Sequence, residues 1–129
     1  MNVTEFIGIE MLKPFSWEET NCALTADRWI NYRHGFSPME YYGRKVFDEE
    51  TGREWLAEPG GIIRGIREVM THSCFARVSA APLPGDVGVI ILGRRACISV
   101  FDVSHWWSRD VDGFITADDS FRYVAWSTH

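Results

Sequence analysis

The chain has 129 residues, 46% of them apolar and 24% charged, with a net charge of −5 from 13 basic and 18 acidic side chains. That size and balance read as one domain over residues 1–129, and they exclude a disordered chain and a surface built to neutralise nucleic-acid phosphates. No apolar run reaches the ~18 residues that span a bilayer, so no membrane span is expected.

The elements follow in chain order. Val3 to Leu12 carries Phe6, Ile7, Ile9 and Met11 in a short amphipathic pattern that stops at Pro14, so it reads as a helix. Glu5 and Glu10 precede the first basic residue, Lys13, so this start reads as mature sequence rather than a signal peptide. Phe15-Ser16-Trp17 is a turn with two rings. Thr20 and Asn21 are capping types, and Cys22, Ala26, Trp29 and Ile30 after them share one helical face. His34-Gly35 ends that helix. Ser37-Pro38 opens a loop that holds Tyr41-Tyr42-Gly43. A further helix runs from Asp48 through Leu56 and breaks at Pro59-Gly60-Gly61. Ile62, Ile63, Ile66, Val69 and Met70 mark another, with Pro59 near its first turn.

The hydrophobic period changes after Phe75. Pro82 to Asp86 reads as a rigid turn, and Val87 to Leu92 as an apolar strand. Gly93-Arg94-Arg95 is a hairpin turn into a second strand, Ala96 to Phe101. His105-Trp106-Trp107 comes next, then an Asp112-Gly113 turn. Phe114 to Thr116 and Phe121 to Trp126 read as closing strands. On a strand, Trp106 and Trp107 point to opposite faces, so one ring enters the core and the other is expected outside as a protein contact. Helices first and an antiparallel meander second is the pattern of an α+β domain.

Arg outnumbers Lys eleven to two, and six Trp, eight Phe and four Tyr make the chain 14% aromatic. Forked guanidinium groups and rings are enriched at protein interfaces, so the composition points to a protein partner. Cys22, Cys74 and Cys97 are odd in number and widely spaced, which gives neither a disulfide framework nor a zinc motif. No metal or cofactor is expected. Cys22 is the residue to weigh for chemistry. A helix N-terminus favours thiolate over thiol. A free Cys is equally a small apolar residue for a buried helix face.

A second feature joins Cys22: Pro84-Gly85-Asp86-Val87, followed by strand, tight turn and strand. Together they resemble the NlpC-type cell-wall peptidases, compact papain-like cysteine hydrolases, and in particular their divergent branch among bacteriophage tail proteins. Asn21-Cys22-Ala23-Leu24 stands where that family has Asp-Cys and an apolar pair, and Ala26-Asp27 continues it. Phe15-Ser16-Trp17, Tyr41-Tyr42-Gly43, Asp112-Gly113-Phe114 and Ala125-Trp126 extend the likeness over residues 3–126. The resemblance implies a papain-like fold with Cys22 as nucleophile and a catalytic His opening the second strand. Ala96 holds that position here, with Cys97 beside it, and neither is a base. His105 falls near the third, orienting position and is the remaining candidate for the base. Asn21 replaces the usual Asp, and Glu18 stands where a Gly is usual.

The resemblance therefore implies a tail-tip or baseplate protein that keeps the peptidase fold without its catalytic His. Its partners would be other tail proteins (hub, distal tail and tape measure). Its place would be the tail of the virion, after synthesis in the bacterial cytoplasm. Two alternatives stand beside this one. One is an active cysteine hydrolase, with Cys22 and His105 cutting peptidoglycan stem peptides during genome delivery. The other is an unrelated α+β protein-binding module.

Overall fold

The computed structural model describes residues 1–129. Five helices come first: α1 (Val3–Met11), α2 (Cys22–His34), α3 (Pro38–Tyr42), α4 (Glu49–Ala57) and α5 (Gly61–His72). Five strands follow: β1 (Val87–Leu92), β2 (Arg95–Phe101), β3 (Trp106–Asp110), β4 (Gly113–Ala117) and β5 (Arg122–Trp126). They form one sheet in the order β4-β3-β2-β1-β5, with every neighbouring pair antiparallel. The chain is thus an α+β fold, helices then antiparallel sheet, and no helix is long and apolar enough to cross a membrane.

Local chemistry explains the element ends. The Asn2 side chain accepts from the Glu5 amide to start α1, and Asn21 accepts from the Leu24 amide to start α2. Gly35 closes α2, its amide donating to the Asn31 carbonyl. Asp48 and Thr51 exchange bonds in a capping box that opens α4. Two expectations need correction here. Ser37 to Tyr42 is not a loop: Ser37 caps the Glu40 amide, Pro38 takes the first helical position, and one short helix results. Pro59 lies outside α5, whose cap is Gly60.

The helices cover one face of the sheet. Trp29, Ile30, Trp55 and Met70 from the helices meet Val89, Ile98, Val100 and Trp107 from the strands in a single apolar cluster. Each such side chain, once buried, contributes about 1.5–3 kcal/mol. The Pro84-Gly85-Asp86 turn locks α2 to this sheet. Gly85 has φ +95°, so a side chain would be strained there. Its carbonyl accepts from the Trp29 indole at 2.8 Å and from the Thr128 hydroxyl at 2.6 Å. The Asp86 carboxylate accepts from the Leu83 amide at 2.8 Å, and the Asp86 carbonyl accepts from the Phe101 amide.

The other face of the sheet is also covered, which corrects the expectation of an outward tryptophan. Trp107 points to the helices, and Trp106 lies on the opposite face, yet both are buried. The reason is topological. β4 and β5 occupy opposite edges, so residues 118–121 must cross the open face between them. That crossing carries Asp119, whose carboxylate accepts from the Trp106 indole at 2.9 Å. Ile90, Phe101, Ala117 and Ala125 complete a second, smaller core around the ring.

Candidate functional site

A groove of about 490 Å³ opens where the amino end of α2 meets β2, β3, α4 and α5. Phe15, Trp17, Trp55 and Ile62 form its apolar walls, and Cys22 and Ala96 lie within it. Asn21 holds one corner together. Its carbonyl oxygen caps α2, and its amide donates to the Trp17 carbonyl at 2.7 Å and the Val46 carbonyl at 3.3 Å. Trp17 closes over α4 because residue 52 is Gly: an added Cβ would sit 2.9 Å from the Trp17 ring. Arg44 stacks on Trp55 with 4.8 Å from guanidinium carbon to ring centre, and it pairs with Glu58.

Cys22 is the first residue of α2, facing β2. Its thiol meets opposing influences. Burial pushes it up to about 11, against the pull of the backbone amides of Ile98, Ala23 and Cys22 itself. The expectation that the helix end would favour thiolate is therefore corrected: desolvation outweighs the dipole. Ala96 belongs to the same apolar packing as Cys22, on the helix-facing side of β2. Where the resemblance expects an imidazole, a methyl group stands.

His105 does not reach this place. It sits in the turn between β2 and β3, exposed, with its ring nitrogen Nδ1 2.8 Å from the Ser104 hydroxyl. Asp102 organises that turn by accepting from the amides of Ser104 and His105, both at 2.8 Å. Cys22 lies against the first half of β2, where the Ile98 amide meets its thiol, and His105 lies beyond the far end of that strand. The three steps of strand from Ile98 to Phe101 alone span roughly 10 Å, and the turn that holds His105 comes after them. The other imidazoles are also elsewhere. His34 ends α2 and bonds the Thr128 carbonyl, His72 packs on Tyr41 at 4.7 Å, and His129 lies beside Arg33. The groove has no imidazole in its lining. No group of three or more His, Cys, Asp or Glu side chains gathers in a way that could hold a metal ion.

One lining residue escaped the sequence reading. Arg109 is buried at the inner wall, with its guanidinium 4.5 Å from the Phe114 ring centre. Nη1 donates to the Glu10 carbonyl at 2.8 Å, Nη2 to the Lys13 carbonyl, and Nε has no partner. Burial lowers its affinity for its proton, while Glu10 acts against that loss. The signal was present in the alternation of β3, since Arg109 stands two residues after Trp107 and shares its face.

With this geometry in view, comparison with known families gives one answer. The chain belongs to a family described as a domain of unknown function (DUF6950), whose pattern it matches over residues 2–128. No curated protein and no solved structure matches it. The family match takes in every helix and strand and the whole groove.

Proposed function

We propose that this chain is a non-catalytic protein of papain-like, NlpC-type arrangement that works as an assembly component of a bacteriophage tail tip or baseplate. The observation that carries the non-catalytic half is the pairing of Cys22 with Ala96. A thiol pushed up to about 11 has no imidazole beside it to take its proton. A cysteine hydrolase needs that group twice, to generate the thiolate and to protonate the leaving amine. What supports the tail location is the motif resemblance of residues 3–126 together with an Arg-rich, aromatic-rich composition. In this reading the groove is a binding cleft, and the partners are the hub, distal-tail and tape-measure proteins.

The test has two arms. Purified protein is incubated with peptidoglycan sacculi, and soluble stem-peptide fragments are sought by mass spectrometry. None is expected. Separately, the protein is mixed with the hub, distal-tail and tape-measure proteins of the same genome and sized by light scattering, where a joint complex is expected. Fragments that vanish with Cys22→Ala would establish the alternative, an active peptidoglycan hydrolase with a displaced base. A monomer that joins none of the three proteins would remove the tail assignment.

A further inference from the structure

The groove carries charge that its own protein does not neutralise. Arg109, 5% exposed, gives two nitrogens to main-chain carbonyls and none to a carboxylate. The nearest acid is Glu10, and it is already committed. Its oxygens accept from Arg28 at 2.8 and 2.7 Å and from Lys13 at 3.2 Å. The only acid in the lining, Asp110, is held by Arg95 at 2.7 Å. Arg94 stands at the rim with neither ion pair nor hydrogen bond. Two guanidinium groups with no carboxylate hydrogen-bonded to them thus line one groove of a protein whose net charge is −5.

The amino end of α2 adds to that wall. The first amides of a helix have no acceptor one turn back. Asn21 caps the Leu24 amide, while those of Cys22 and Ala23, both in the lining, reach no oxygen acceptor and meet only the Cys22 sulfur. The opposite wall is apolar, built on Phe15, Trp17, Trp55 and Ile62. A volume of about 490 Å³ suits a small ligand or the end of a chain rather than a folded surface.

We infer that the groove captures the free C-terminus of a partner polypeptide that ends in a large apolar residue. The terminal carboxylate lies at the arginine wall and the α2 amides, and the last side chain lies between the tryptophans. A chain end is the one part of a polypeptide where a carboxylate and an apolar side chain leave the same carbon, which suits two walls of one small cavity. Capture of a terminal carboxylate by backbone amides and arginine is an established mode of recognition. The inference rests on the reading of the groove as a binding cleft of an assembly protein, which makes the ligand a polypeptide rather than a lipid.

The experiment uses fluorescein-labelled peptides of the form Gly-Ser-Gly-Ser-Gly-X, with X as Leu, Phe, Trp or Val. Each is prepared as the free acid and as the amide, and binding is read by anisotropy. At least one free acid is expected to bind saturably, and its amide about tenfold or more weaker. Arg94→Gln, a surface change, should weaken the acid and leave the amide unaltered. Ala96→Trp should fill the groove and abolish binding, with circular dichroism and the melting curve showing that the fold is kept. Equal binding of acid and amide, or no binding by any peptide, overturns the inference. Sodium laurate binding in the absence of peptide binding also overturns it, in favour of a lipid site. The sacculus assay keeps the two ideas apart: an inert protein that binds no peptide loses only this inference, and one that releases fragments loses the non-catalytic reading.

Discussion

Cys22 shows how one position can satisfy two opposed patterns. A helix N-terminus stabilises a nearby anion by roughly 0.3–1 kcal/mol. Taking a thiolate into an apolar wall costs more than that, and the thiol is pushed up to about 11. At pH 7.5 only about one molecule in three thousand then carries the thiolate. Iodoacetamide at that pH should therefore modify Cys22 at least about a hundredfold more slowly than exposed Cys74, as read by peptide mass mapping over time. Comparable rates at the two positions would contradict the burial argument. Asn21 is the neighbour that fixes this geometry, because one side chain serves the helix cap, the Trp17 carbonyl and the Val46 carbonyl. Asn21→Ala should cost about 1–3 kcal/mol in urea unfolding and change the fluorescence of the tryptophans.

Among the elements, β1 depends most on a missing side chain. Gly88 faces the second core. A Cβ there would come within 2.8 Å of the Val124 carbonyl oxygen and 2.9 Å of the Trp106 ring. The carbonyl belongs to the paired strand β5, and the ring is fully buried, so neither can move cheaply. Gly88→Ala is expected to lower stability by about 1–3 kcal/mol, measured by chemical denaturation. Gly93→Ala is a useful contrast for packing, since nothing lies within 4 Å of a Cβ at that position, although its φ of +63° adds backbone strain. The crossing from β4 to β5 is the other decisive element. It converts a face that would otherwise be wet into a second core, and Asp119 secures it to Trp106.

For the molecule as a whole, two buried carboxyl groups set opposite responses to pH. Burial pushes Glu10 up, but Arg28 and Lys13 outweigh it and hold the group below its usual value. A depressed carboxylate contributes stability above its unfolded pKa, and that stability is lost as pH falls through the lower folded value. Glu10→Gln should therefore cost about 2 kcal/mol at pH 7 and less as the solution becomes acidic below about pH 4. Burial also pushes Asp27 up, and here the bonds from Ser37 at 2.5 Å and the Met39 amide at 2.9 Å do not reverse it. The sign is opposite: its contribution is full below the unfolded pKa and is lost as pH rises through the raised folded value. Asp27→Asn should gain stability relative to the parent as pH rises above about 4, which thermal melts at a series of pH values would reveal.

The positions and types of most elements were legible in the chain itself. Helix ends are written by short-range chemistry: Asn21 before Cys22, Gly35 after His34, and the Asp48-to-Thr51 box each act within one turn. The strands were legible too, because alternation and tight turns are local, and with them the opposite facing of Trp106 and Trp107, though not which ring meets the helices. A short helix such as α3 was missed, since Ser37-Pro38 opens a turn and a helix with the same residues. The fate of Trp106 was decided by strand order, which places β4 and β5 on opposite edges and forces residues 118–121 across the sheet. The candidate site divides in the same way. The sequence marked Cys22 by its helix cap, and the resemblance to the NlpC-type peptidases marked Ala96 as the strand-opening position where a His was expected. It could not tell that His105 falls at the far end of β2, nor that Arg109 is left without a counterion. Those facts depend on which groups from distant segments share a wall, and on whether Glu10, 99 residues earlier, is already held by Arg28. Burial and charge balance are sums over neighbours in space, and only the tertiary structure selects the neighbours.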